Sequence, residues 1–166
     1  MNVQEATTRR LPDLKERHLP ENCRETINTI LKETYGYEQF RNLEIYDDLS
    51  KGKEKLCISQ GQLIENVILE AEKAWKGETQ VDNILLTAPT GSGKSLLFQL
   101  PAIYLGKEYN LLTIVVSPLK ALIVDQVESL QELGYTRVAY ASSDLSPEQK
   151  MEVYRQVREG EIDLFY

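Results

Sequence analysis

Residues 84–99 read Ile-Leu-Leu-Thr-Ala-Pro-Thr-Gly-Ser-Gly-Lys-Ser-Leu-Leu-Phe-Gln: an apolar run, a loop with two glycines and a lysine, and the opening of a helix. Few arrangements constrain a fold as tightly. Gly91 and Gly93 let successive backbone N–H groups converge on one point, and the N-terminus of the following helix adds partial positive charge. Lys94 then places an ammonium beside both. Together these make a cradle for a chain of phosphates, with the Ser95 hydroxyl placed to ligate a magnesium ion that bridges two of them. A glycine-serine turn that merely happens to precede lysine would lack this context of strand before and amphipathic helix, Leu96 to about Leu105, after. Pro101 inside that helix removes the bond to residue 97 and predicts a kink.

Downstream the pattern alternates between strand and helix. Asn83–Thr87, Leu111–Ser117, Arg137–Ser142 and Ile162–Tyr166 are predicted strands. Between them, Ala121–Leu133 carries Ile123, Val127 and Leu130 on one face and stops at Gly134. Ser146-Pro147-Glu148-Gln149 supplies an N-cap, a proline at N1 and a capping-box glutamine at N3 for a helix expected to bury Met151, Tyr154 and Val157 and to end at Gly160. Strands joined by helices of this length imply an α/β fold, a three-layer parallel sheet with helices on both faces. Upstream, Ser59 and Gln62 fit a capping box, and Leu63, Ile64, Val67, Ile68, Ala71 and Trp75 form one helical face before Gly77. Residues 21–46 read as helical, with Ile27, Ile30, Leu31 and Tyr35 in register and a break at Gly36. Residues 47–55 read as a charged linker and 1–20 as a loosely ordered arm. The expected organisation is a helical or loosely ordered N-terminal extension over 1–58 and the α/β domain over 59–166.

Composition narrows the function classes. No run approaches the roughly 18 apolar residues of a membrane span, and the start of the chain has no apolar segment for secretion, so a cytoplasmic protein with no membrane partner is expected. Cys23, Cys57 and His18 do not make a zinc site. The net charge is −7, with 10 basic and 11 acidic side chains in residues 1–60 against 9 and 15 in residues 61–166. That balance opposes a broad, salt-driven nucleic-acid surface but leaves room for a narrow groove with a few donors.

The loop and its flanks resemble a known family. APTGSGKSLLFQLPA, residues 88–102, is similar to motif I of superfamily 2 helicases of the DEAD/DEAH-box type, and SLLFQLPA to its RecQ-like branch. VVSPLKALIVDQVESL, residues 115–130, resembles motif Ia, and ASSDLS followed by a helix and IDLFY resembles the approach to motif Ib. The alanine at 88, where phosphate loops usually open with glycine, fits the helicase type. The resemblance implies a RecA-like ATP-binding domain, here incomplete. It implies ATP and Mg²⁺ as cofactors, bound by Pro89, Thr90, Gly91, Ser92, Gly93, Lys94 and Ser95, with Lys94 catalytic and Ser95 on the metal.

A second resemblance lies at Gln60-Gly-Gln-Leu-Ile-Glu-Asn-Val-Ile, which repeats the spacing of the family's glutamine motif. Gln60 is the expected adenine reader, because an amide can accept from N6–H while donating to N7. Gln62 is the alternative, with its apolar followers out of register. Tyr35-Gly-Tyr-Glu-Gln-Phe-Arg resembles a motif that normally lies only a few residues before that glutamine. Here residues 42–59 intervene, so either an insertion has been accommodated or the match is chance, and Arg41 stands or falls with it. For nucleic acid, Ser117, Pro118, Leu119 and Lys120 fall where a strand ends and a helix begins, the side of an open parallel sheet on which ligands bind. Asp125 and Gln126 either orient this loop or are plain polar-face residues. Ser142 and Ser143 are a weaker version of the same idea. Tyr35, Tyr37 and Tyr46 either stack on bases or pack.

The implied activity is ATP-dependent 3′–5′ DNA unwinding, with DNA as a single strand or duplex junction and no small-molecule substrate other than ATP. Residues 1–166 contain no DExH or DExD, the carboxylates that hold magnesium and activate water. The expectation is therefore a fragment that binds Mg-ATP weakly or not at all, does not hydrolyse it, and is poorly soluble, because the resemblance places the neighbours of strand 84–87 later in the chain. Another class of phosphate-loop ATPase is opposed by the SPLKALIVDQV block. A regulatory or vestigial nucleotide-binding module remains the alternative.

Overall fold

The computed structural model describes residues 16–46, 55–87 and 90–166. The chain divides into two compact units: the described residues up to Arg24 with Phe40–Leu97, and Glu25–Gln39 with Phe98–Tyr166. Helix α1, Glu21–Tyr35, and helix α3, Leu96–Tyr109, each run from one unit into the other.

In the first unit, β1 (Asn42–Tyr46) and β2 (Lys55–Ser59) form an antiparallel hairpin in which Asn42 pairs with Ser59 and Tyr46 with Lys55. The helical reading of residues 21–46 is thereby corrected. The helix stops at Tyr35, and Asn-Leu-Glu-Ile-Tyr alternates apolar and polar residues as a strand does. The linker reading of 47–54 lies outside the described residues. Helix α2, Gln60–Trp75, follows β2 directly. Its N-cap Ser59 accepts a hydrogen bond from the Gly61 N–H, at N2 rather than at the N3 expected of a capping box. Leu63, Ile64 and Ile68 are buried as their spacing predicts, whereas Trp75, one residue before the helix cap, is 57% exposed.

Glu70 gathers this unit. Its carboxylate accepts from Arg17 (2.7 Å), Lys73 (3.1 Å) and the Asp82 N–H (3.0 Å). Burial alone would raise the Glu70 carboxyl, but these donors outweigh it and hold it down at about 2. Leu19 is buried and its N–H donates to Glu65, so residues 16–20 are fastened to α2 rather than loose. Residues 1–15 lie outside the described residues.

In the second unit, β3 (Thr113–Ile114), β4 (Val138–Ala139) and β5 (Leu164–Phe165) form a parallel sheet in the order β3-β5-β4. Helix α4 (Lys120–Glu132) connects β3 to β4, and α5 (Pro147–Arg158) connects β4 to β5. The parallel α/β architecture and the helical N-terminal segment are as the sequence predicts. The strands are shorter than predicted, although main-chain bonds from Val115 to Phe165 and from Ala141 to Tyr166 carry the ladder a residue or two further. Leu100, Ile103, Tyr104, Val127, Leu130, Val138 and Leu164 make the core. Helix α3 continues through Pro101 to Tyr109 and ends at Asn110, whose φ of 52° is the left-handed turn that closes a helix.

Two expectations need correction. Residues 80–87 form no strand among the described residues: Ile84 and Leu85 are 48% and 92% exposed, because no described strand lies alongside to accept them into a ladder. The capping box of α5 is present, with Ser146 Oγ accepting from the Gln149 N–H and Gln149 Oε1 from the Ser146 N–H. Its apolar face is not buried, however. Tyr154 leans edge-on against Phe165 with half its surface open, and Met151 is 72% exposed, so helical spacing identified a face without saying how much of it is covered.

A buried carboxylate ties the sheet to α3. Asp163 accepts from Arg137 Nε (2.8 Å) and Nη2 (2.7 Å) and from the Tyr135 hydroxyl (2.5 Å). Burial and the facing Asp163 push the Tyr135 phenol upward. A Cβ at Gly106 would lie 2.6 Å from the Asp163 Cβ, so glycine lets α3 lie against this network.

Candidate functional site

The loop that opens α3 is built on two left-handed glycines, Gly91 at φ 82° and Gly93 at φ 78°. Left-handed residues of this kind are what an anion-binding nest of backbone N–H groups requires. Thr90–Ser95 complete the turn, and the Leu97 N–H bonds the Lys94 carbonyl, so Lys94 and Ser95 stand at the mouth of the helix. Lys94 is exposed and Ser95 half-buried. Ala88 and Pro89 lie outside the described residues.

Gln60 is buried beneath this loop. Its Nε2 donates to the Ser92 carbonyl at 3.2 Å and, more weakly, to the Gly93 carbonyl at 3.5 Å. Its Oε1 accepts from the Arg41 N–H at 3.2 Å, and its own N–H donates to the Arg41 carbonyl at 2.9 Å. The partners fix the orientation of the amide, since only its oxygen can accept from an N–H and only its nitrogen can donate to carbonyls. The approach is close: a Cβ at Gly93 would lie 2.5 Å from Gln60 Nε2.

The hairpin explains how Arg41 arrives there. Asn42–Tyr46 pairs with Lys55–Ser59, so the residues at the open ends of these strands, Arg41 and Gln60, meet across one further rung of the ladder. Phe40 packs on the same corner, with its ring where a Cβ of Gly61 would be, 2.6 Å away. The pairing of β1 with β2 brings the end of the aromatic segment against Gln60 although residues 42–59 separate them in the chain. Sequence reasoning left this open because the pairing of Asn42 with Ser59 is not a local signal.

In the second unit, Ser117 Oγ accepts from the Leu119 N–H, Leu119 is the N-cap of α4 without a side-chain cap, and Lys120 opens the helix. Pro118 lies between them. Lys120 Nζ donates to Ser143 Oγ and to Asp144 Oδ1 (3.0 Å), while Ser142 Oγ accepts from the Asp144 N–H at 3.3 Å. The two candidate strand-gripping loops, 117–120 and 142–144, are therefore joined. The lysine ammonium holds the exposed Asp144 carboxyl below its ordinary value, with Ser143 and Lys150 adding to the effect. Asp144 was missed in the sequence, where it reads as one more acid on an acidic chain.

Gln126 is not a solvated polar-face residue. Its Oε1 accepts at 2.7 Å from Gln99, a buried amide of α3 that also meets the hydroxyls of Tyr166 (3.2 Å) and Tyr35 (3.4 Å). Tyr35 is thereby a packing residue whose phenol burial raises, and Tyr37 stacks on it at 6.4 Å. The Tyr46 side chain lies outside the described residues.

Among the described residues no three His, Cys, Asp or Glu side chains gather as a metal site. The donor chemistry at the loop fits magnesium in the other manner, with one hydroxyl, Ser95, beside a phosphate cradle, since Mg²⁺ takes most of its ligands from phosphate and water. Among the described residues no helix is long and apolar enough to cross a membrane.

The sequence model of the DEAD/DEAH box helicase family matches residues 60–166. The chain is 32% identical over 143 residues to the ATP-dependent DNA helicase RecQ of Synechocystis sp., covering 86% of this chain and 23% of that protein. It is 30% identical over 141 residues to RecQ of Haemophilus influenzae, covering 85% and 18%. Over 78 residues, 47% of this chain and 6% of the relative, it is 40% identical to ATP-dependent DNA helicase Q4 of Mus musculus. The chain thus spans under a quarter of the length of these relatives.

Proposed function

The chain belongs to the DEAD/DEAH box helicase family, and on that premise we propose that residues 60–166 are the ATP-binding part of a RecQ-like 3′–5′ DNA helicase. The observation that carries this reading is the Gln60 amide, bonded at once to the phosphate loop and to Arg41. Its Oε1 has a second lone pair for an adenine N6–H, and the long bond to the Gly93 carbonyl is the one a base N7 can replace. Lys94 would meet the β- and γ-phosphates, and Ser95 would hold the magnesium that offsets their charge. Thr90, Gly91, Ser92 and Gly93 line the loop, and Pro89 is proposed as a nucleotide-binding residue with them.

The nucleic-acid half of the proposal rests on Ser117, Pro118, Leu119 and Lys120. A helix N-terminus with one lysine suits a single phosphate contact on an otherwise acidic chain. A strand of DNA, or a duplex junction, is the proposed partner.

Residues 1–166 carry no DExH or DExD. A second reading, of these residues on their own, is a nucleotide-binding module that holds Mg-ATP without cutting it. The test of the site common to both readings is a titration of the chain with fluorescent ATP and GTP analogues in the presence of Mg²⁺. ATP binding better than GTP, with that preference lost in Gln60→Ala, supports the proposal. Equal affinity for the two bases in the unaltered chain contradicts it.

A further inference from the structure

Among the described residues, Lys120 and Asp144 form an ion pair that is distant in the chain although both side chains are exposed. Other pairs on the surface helices are local, as where Arg155 meets Glu152, Glu159 and Glu161, or Lys32 meets Glu38. Lys120 and Asp144 instead join the loops that follow β3 and β4, the two strands flanking β5, at the C-terminal end of the sheet. The cation proposed to hold a strand phosphate is thus already held by a carboxylate and a serine hydroxyl. The Ser143 hydroxyl bridges the pair, accepting from Lys120 and donating to Asp144 Oδ1 at 3.3 Å, and Ser142 fixes the Asp144 main chain.

We infer that Asp144 is an internal counter-ion at the strand site, one that occupies Lys120 in the free chain and is displaced from it when a strand phosphate binds. The inference rests on the reading of Lys120 as a phosphate contact. Binding is then an exchange of anions. The phosphate gives up a condensed counterion, and the expelled carboxylate takes one up, so this contact adds little to the salt dependence of binding. A lysine without such a partner would release the counterion outright and steepen the logarithmic salt slope by about 0.7 for a single strand. Exposed pairs of this kind are worth little, so the intrinsic restraint on affinity is modest, on the order of two- to fivefold. A grip that is easily exchanged is also easily released, which a protein that steps along a strand requires.

The experiment is a titration of chain 1–166 with a short labelled oligo-dT at several salt concentrations, for the unaltered protein, Lys120→Ala, Asp144→Asn and the double variant. Asp144→Asn keeps the shape of the side chain and the main-chain bond to Ser142, and circular dichroism confirms that each variant folds. The inference expects Asp144→Asn to tighten binding about two- to fivefold and to steepen the salt slope by about 0.7, with both effects absent when Lys120 is alanine. If Asp144→Asn weakens binding, leaves it unchanged, or tightens it equally without Lys120, the inference is overturned while the role of Lys120 stands. If Lys120→Ala itself has no effect, the reading of Lys120 falls and the inference with it.

Discussion

The side-chain amide of Gln60 donates a hydrogen bond to the main-chain carbonyl of Ser92 at 3.2 Å, fastening the start of α2 to the phosphate loop. Replacing it tests the fastening apart from any ligand. In Gln60→Glu the carboxylate keeps an acceptor for the Arg41 N–H but faces two carbonyls with nothing to donate. We expect Gln60→Glu and Gln60→Ala each to lower the unfolding free energy by about 1–3 kcal/mol in urea titrations, because buried partners are left unsatisfied.

The two loop glycines separate conformation from space. Both have positive φ, but a Cβ at Gly91 meets nothing within 4 Å, whereas one at Gly93 would lie 2.5 Å from Gln60 Nε2. Gly91→Ala should cost about 1–2 kcal/mol for the left-handed backbone alone. Gly93→Ala should cost more by urea titration and should also displace the glutamine, so that the preference for ATP over GTP falls only in that variant.

Asp163 is 1% exposed and depends on Arg137 for two of its hydrogen bonds. Arg137→Ala leaves a buried carboxylate without its cation, and we expect a loss of about 3–5 kcal/mol in unfolding free energy. Tyr135→Phe removes one bond of three and should cost about 1.5–3 kcal/mol. Thermal unfolding of the two variants checks that order.

Glu70 gives stability a defined pH dependence. Its carboxyl is at about 2 in the folded chain against an ordinary 4.5, so the unfolded state binds the proton more readily. The stabilisation is fully present above about pH 4.5 and is lost as pH falls toward 2. The full effect is on the order of 2–3 kcal/mol. Urea midpoints for the unaltered chain and Glu70→Gln should differ at neutral pH and converge near pH 2. A gap that stays constant across that range would contradict the assignment.

Much of this was legible in the sequence because it is local. Ser146 and Gln149 cap α5, Ile123, Val127 and Leu130 face the core from α4, and Gly91 and Gly93 take the backbone their loop requires. The parallel sheet followed from strands alternating with helices. What was not legible depends on partners distant in the chain. The hairpin needed Asn42 to find Ser59, and the apolar run at Ile84 and Leu85 reads as a strand yet pairs with no described strand. In the site, the loop glycines carry their own conformational signature, whereas Asp144 matters only because Lys120 reaches it across 24 residues.

Both readings require that the phosphate loop of this chain takes Mg-ATP. An equilibrium titration of purified 1–166 with a fluorescent ATP analogue in Mg²⁺, beside Lys94→Ala, measures it most directly. We expect weak but saturable binding that Lys94→Ala reduces by at least about tenfold, the loss of one charge-assisted contact. Affinity that Lys94→Ala leaves unchanged would contradict a phosphate-binding role for this loop.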